Sequence, residues 1–247
     1  MHGRTAYYLA STVFGVKTRQ GAVFLHLRRD KYYGLSHTDV CRLSGIVENW
    51  PHPLGTDHHR GHPETPKGSE SSGVLNSMLE AGVLQKTAPQ RDTLVTSRMS
   101  LDGALASVGD EIVRPATVRP AHLATFVYSL LSASLSLNCF TMESAIRRVS
   151  ARKARARLNG YSFDLERVAS LVFIFRRIRP LLFVADGHCL LHALTLINFL
   201  AIYKEFPCWV LGVKTDPWGA HSWVQFGDYL LDTNPEKVCG YEPVLSV

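Results

Sequence analysis

The order of apolar and polar positions divides the chain into a strand-rich start, an unpatterned middle and a second half that is first helical, then stranded. Tyr7–Ala10, Val13–Lys17 and Ala22–Leu27 are short runs of β-branched and aromatic residues, with turns at Gly15 and Gln20-Gly21. Arg28-Arg29-Asp30 leads into Lys31–Leu35, another short strand. Ser36 can cap a predicted helix from His37 to Glu48, with Val40, Leu43, Ile46 and Val47 at helical spacing, and Pro51 stops it. Pro51–Gly73 has no periodicity and reads as a loop. Val74–Gln85 predicts a helix that turns Val74, Leu75, Met78 and Leu79 inward. Residues 1–86 are thus expected to form a small α+β module, and 87–120 a linker. From 121 the pattern becomes helical, with predicted helices at Leu123–Leu137, Met142–Leu158 and Phe163–Ile178.

The stretch after Pro180 is the most informative. Asp186 can cap a helix whose first turn carries Cys189, followed by Leu190, Leu194, Ile197, Leu200 and Ala201 on its apolar side. A thiol there faces unpaired backbone N–H groups and the positive end of the helix dipole, which favour thiolate. The bland alternative is a buried structural cysteine. Cys208–Lys214, Ala220–Phe226 and Tyr229–Asp232 then read as strands, with Gly227-Asp228 as a two-residue hairpin turn. A two-residue turn pairs Phe226 with Tyr229. Alternation then sets His221, Trp223 and Gln225 on one face, with Asp232 diagonal to His221 on that face. Taken singly, His221 could be a half-buried structural histidine and Asp232 a strand-end turn residue. Together, Cys189, His221 and Asp232 supply a thiol, a base and an orienting carboxylate, the minimum for cysteine-based acyl transfer.

Composition narrows the class. The chain has 247 residues, 46% hydrophobic and 19% charged, which fits one or two globular domains. The net charge of +6 is concentrated between Arg147 and Arg179, where ten basic residues face only Asp164 and Glu166. Such a stretch is either an attractor for an acidic partner or a solvated helix face. Five cysteines without C-x-x-C spacing, and a start without an apolar signal core, predict a reducing, cytoplasmic location. No stretch is a convincing membrane span. His58, His59 and His62 lie in the loop without a scaffold to fix them as ligands, so no metal site is expected.

A family resemblance now attaches to particular residues. Asp186-Gly187-His188-Cys189-Leu190, Ala220-His221-Ser222-Trp223-Val224-Gln225 and Tyr241–Val247 resemble the transglutaminase-like leader peptidase of lasso peptide biosynthesis, the B protein family. The likeness is strong over Pro180–Val247 and weaker over the preceding helices. Phe24-Leu25-His26-Leu27 and Lys31-Tyr32-Tyr33-Gly34-Leu35 are similar to the PqqD-like precursor recognition element, a small winged-helix-like domain that binds leader peptides. That family shows Asn-Asp or Asp-Asp at the third site position. A gapless match sets its second Asp on Thr233, whereas Asp232 fits the Leu-Asp-Thr pattern of the wider superfamily.

The resemblance implies an α+β chain: a winged-helix-like domain at 1–86, a linker at 87–120, and a papain- or transglutaminase-like cysteine protease domain at 121–247 with N-terminal helices and a C-terminal antiparallel sheet. It implies cleavage of a leader from the core of a ribosomally made precursor, an antibiotic-type natural product. Cys189, His221 and Asp232 would be catalytic. Phe24, Leu25, Leu27, Tyr32, Tyr33, Leu75, Met78 and Leu79 would form the leader-binding part. The freed amine would pass to a partner macrolactam synthetase that uses ATP; no cofactor is evident for the protease itself, which shows no phosphate-binding loop. Two alternatives stand: another Cys-His-Asp acyl-transfer enzyme, such as a transglutaminase or amidase, and a nucleic-acid-binding protein using residues 147–179. Against the latter, the basic residues lie outside the N-terminal module and no aromatic residues interleave with them.

Overall fold

The computed structural model describes residues 6–44, 46–48, 50, 70–89, 106–108, 116–182 and 187–247. The chain divides into two compact units, one of Met1–Thr93 with Lys214–Trp218, the other of Leu94–Val213 with Gly219–Val247. Both mix helix and sheet.

The first unit contains β1 (Tyr7–Leu9), β2 (Val13–Thr18), β3 (Gly21–His26), β4 (Lys31–Ser36), α1 (His37–Ser44), β5 (Val47–Glu48), α2 (Glu70–Glu80) and β6 (Leu84–Gln85). Strands β2, β3 and β4 form an antiparallel meander, and β3 is buried along its whole length. The β2–β3 turn pairs Thr18 with Gly21. Gly21 has a φ of 148°, and a Cβ there would run into the Leu35 carbonyl, so only glycine fits. The second sheet has the order β5-β1-β6. Phe24, Val40, Leu43, Trp50, Met78 and Leu84 share one core, with the Phe24 and Trp50 rings 5.3 Å apart.

Two predicted helices are shorter than expected, and in both cases a strand takes the missing residues. Ser36 does start α1, accepting from the Asp39 N–H at 3.2 Å. The helix ends at Ser44 because Val47 and Glu48 pair in parallel with Tyr7 and Tyr8. α2 begins before Val74 and stops at Glu80. Gly82 then takes a φ of 66°, and Leu84 and Gln85 turn back to pair with β1. Most of the expected loop, including His58, His59 and His62, lies outside the described residues.

The second unit contains β7 (Ala106–Ser107), α3 (Pro120–Cys139), α4 (Met142–Leu158), α5 (Leu165–Leu182), α6 (Cys189–Ile202), β8 (Cys208–Thr215), β9 (Trp218–Phe226), β10 (Tyr229–Leu231), α7 (Pro235–Val238) and β11 (Glu242–Ser246), save that Lys214 and Thr215 of β8 and Trp218 of β9 group with the first unit. Local chemistry fixes the helix ends. Thr141 caps α4 by accepting from the Ser144 N–H at 3.3 Å. Gly160, at φ 73°, closes it, and the Tyr161 N–H reaches the Ala156 carbonyl at 3.0 Å. α5 runs two residues past Pro180, whose missing N–H falls in the last turn. α6 is buried on every side from Ala193 to Leu200, as in a helix at the centre of a core. α3 packs against α4, α5 and α6.

The five-stranded sheet has the order β11-β8-β9-β10-β7. Phe226 pairs with Tyr229, Gln225 with Leu230 and Val224 with Leu231, the register expected of a two-residue turn. At Gly212 on β8 the Trp223 ring of β9 lies where a side chain would stand, 2.6 Å from an added Cβ. Glycine there lets the indole lie flat against the neighbouring strand.

Candidate active site

The start of α6 and the hairpin β9–β10 face one cavity of about 500 Å³, within the usual size range of small-molecule and peptide sites. Cys189, His192, His221, Asp232, Thr233 and Arg179 all line it. Cys189 is the first residue of α6 and is half-buried. The residue flanking the helix is His188, which makes no side-chain cap. The expected cap, Asp186, lies outside the described residues. The unpaired backbone N–H groups of a first helical turn are hydrogen-bond donors suited to a developing oxyanion.

His221 sits within β9, where strand alternation holds it. Its ring lies 6.0 Å from Trp223 in a near-parallel stack and 5.4 Å from Tyr241. These rings limit the rotation of the imidazole and leave it half-buried at the cavity wall.

Asp232 departs from the expected geometry. β10 ends at Leu231, and Asp232 has a φ of 60°, so strand alternation does not extend to it. Its carboxylate, only 3% exposed, is held by two helices. Arg176 Nε donates to Oδ1 at 3.0 Å, Arg179 Nη1 donates to Oδ2 at 2.9 Å, and His192 Nε2 lies 2.8 Å from Oδ2. His221 is not among these partners. Burial pushes the Asp232 carboxyl up, but the hydrogen bond from His192 and the charges of His192, Arg179 and Arg176 outweigh it, so the net displacement is downward. Asp232 thereby ties α5 to the first turns of α6, one turn from Cys189. Thr233 also lines the cavity, and its backbone carbonyl accepts from Ser107 Oγ at 3.0 Å.

The structure places the expected leader-binding residues in two groups. Phe24, Leu25 and Leu27 are fully buried and Met78 nearly so, whereas Tyr32, Tyr33, Leu75 and Leu79 are half-buried.

Arg176, Arg179 and His192 went unrecognised in the sequence as neighbours of the site. The signal that could have found them is spacing: Arg176 and Arg179 stand three apart on α5, and His192 stands three after Cys189, so each pair shares a helix face. Reading 147–179 as one basic stripe hid this. Most of that stripe is spent inside the second unit. Arg147 pairs with Glu143 at 2.9 Å, Arg148 with Ser136 at 3.1 Å, Arg152 with Asn198 at 2.9 Å and Arg167 with Glu205 at 3.6 Å. Lys153 donates to Cys208, and Arg177 lies over the Phe173 ring. Internal partners weaken the case for a phosphate-binding face.

Residues 127–246 match the profile of the transglutaminase-like superfamily. The chain therefore carries a transglutaminase-like domain over that span, and such a domain supports chemistry of the cysteine-protease or acyl-transfer type. No curated protein and no solved structure matches the chain. Among the described residues, no helix is long and apolar enough to cross a membrane.

Proposed function

We propose that the protein is a cysteine peptidase that removes the leader from a ribosomally made lasso precursor. The observation that carries this reading is the convergence of Cys189, at a helix N-terminus, and His221, on a strand, on one cavity inside a transglutaminase-like domain. In the proposed reaction His221 takes the Cys189 proton as sulfur attacks the scissile carbonyl carbon. The oxyanion is met by the Cys189 N–H. The C–N bond then breaks, and the His221 proton passes to the leaving amine. Water, deprotonated by His221, opens the thioester and releases the leader as a carboxylic acid. The departing amine is the core's first residue, the group that an ATP-dependent macrolactam synthetase would consume. Asp232 acts as a positioning residue: by holding His192, Arg176 and Arg179 it fixes the turn that carries Cys189.

In this reading the first unit holds the leader. A peptide strand added to β4, an edge strand among the described residues, would present its side chains to Tyr32 and Tyr33, with Leu75 and Leu79 as the apolar neighbours. Phe24 and Met78 support that face from the core, and Leu25 and Leu27 are buried in the same strand region.

The test uses the full chain and the short precursor peptide that this reading expects to be encoded near its gene. Wild type is expected to release leader and core as two peptides by mass spectrometry, and Cys189→Ala to bind the precursor without cutting it. A peptide joined to an added amine, with no hydrolysis, would instead identify an acyl transferase with the same site. Undiminished cleavage by Cys189→Ala would remove the nucleophile assignment.

A further inference from the structure

Away from the cavity, the second unit buries a lysine against a cysteine. Lys153 on α4 is 7% exposed, and Cys208, the first residue of β8, is 8% exposed. Lys153 Nζ donates to Cys208 Sγ at 2.7 Å, across 55 residues of chain. That distance matches the shortest N–H···O bonds, although sulfur is a larger atom than oxygen. It is too short for an ordinary ammonium–thiol contact and too long for a direct N–S bond. It does fit nitrogen and sulfur joined through one intervening atom. Among the described residues the amine makes no ion pair. A buried amine whose described hydrogen bond goes to a thiol is a costly arrangement that an aliphatic residue would avoid. Cys208 is also the buried one of the five thiols. Beside Lys153 lies a cavity of about 10 Å³, lined by Arg152, Ile197, Ala201, Glu205 and Phe206 among others. It has room for about one water-sized molecule, hence for a diatomic oxidant but not for a peptide.

We propose that Lys153 and Cys208 form a covalent N–O–S cross-link with dioxygen as oxidant. The amine and thiol each lose two electrons, and dioxygen accepts all four. One oxygen atom bonds to both nitrogen and sulfur. The other leaves as water, taking the thiol proton and one amine proton. Two equivalents of a dithiol reverse the step, returning the amine, the thiol and one water. The bond staples α4 to the first residue of β8 and closes the 55-residue segment that contains α5, α6 and the nucleophile. By restricting the unfolded chain it stabilises the unit that carries the site. This proposal is independent of the leader-peptidase reading.

The test compares purified full-length protein equilibrated with air against the same protein held in dithiothreitol under nitrogen. Each sample is denatured, alkylated with iodoacetamide and digested with trypsin. The air sample is expected to contain the Lys153 and Cys208 peptides joined, with one oxygen gained, two hydrogens lost and no cleavage after Lys153. Dithiothreitol should restore alkylation of Cys208. The melting temperature of the air sample should be higher by on the order of 5 °C. Lys153→Arg should leave Cys208 alkylated in air. Three wild-type results would each overturn the proposal, whether or not that variant folds: full alkylation of Cys208 in air, a joined pair without oxygen, or an oxidised Cys208 not linked to Lys153.

Discussion

His221 and Asp232 line one cavity and lie on opposite arms of one hairpin, yet they are held by different physics. His221 stands inside a strand, so its direction follows from alternation, and two aromatic rings steady it. Asp232 stands one residue beyond a strand, in a left-handed conformation, and three cationic or polar donors from two helices set its position. The comparison teaches that a side chain within an element takes its direction from local periodicity, whereas one at its end takes it from whichever tertiary partners can satisfy its charge. A variant at His221 should therefore act on chemistry, and one at Asp232 on architecture first.

The largest expected effect belongs to neither arm. Cys189→Ala should abolish turnover of the precursor while leaving its affinity unchanged in a binding titration. His221→Asn comes next and should lower kcat by about 10²–10⁴-fold at constant melting temperature, since a general base is lost and a polar group of similar size remains. A fall in melting temperature that accounts for the lost rate would place His221 in the scaffold instead.

Asp232→Asn should cost about 2 kcal/mol of stability, read from denaturant midpoints. A buried carboxylate is lost, but both arginines are partly solvated and can be rehydrated. The substitution should also slow Cys189 alkylation by iodoacetamide, because the turn that carries the thiol is no longer pinned. The same variant should alter the acid limb. The Asp232 carboxyl lies below its unfolded value of about 3.9, so its stabilisation is complete above that pH and is lost as pH falls through the folded value. Wild type should lose stability more steeply below about pH 4 than Asp232→Asn does in melts taken from pH 6 to pH 2. Equal slopes would mean that the carboxylate is not held as described. Thr233→Val should have the smallest effect, within about 0.5 kcal/mol, since the described hydrogen bond at Thr233 uses its backbone carbonyl. If Thr233→Val cripples turnover while Asp232→Asn does not, the orienting group is the hydroxyl.

Much of the second unit was legible because its cues are local. Thr141 and Asn159-Gly160 mark the ends of α4, and Gly227-Asp228 dictates the hairpin register through to Leu231. The placement of Cys189 at the start of a buried helix follows from the apolar spacing of Leu190, Leu194, Ile197 and Leu200. What the sequence concealed depends on distant partners. Val47 leaves a helical pattern to pair with Tyr7, some forty residues earlier. Arg176 and Arg179 look like surface charge until Asp232, more than fifty residues later, arrives between them. Leu25 and Leu27 look like strand alternation with one solvent face, yet Leu25, His26 and Leu27 all lie inside. Periodicity does not count the layers packed on a sheet.

The all-round burial of Ala193–Leu200 has a kinetic consequence. Amide protons in that segment can meet solvent only when most of the second unit opens, so they should be the slowest to exchange with deuterium. The nucleophile therefore sits at the mouth of the most slowly opening segment of the domain, and the strand that faces it, β9, is itself buried from Ser222 to Gln225.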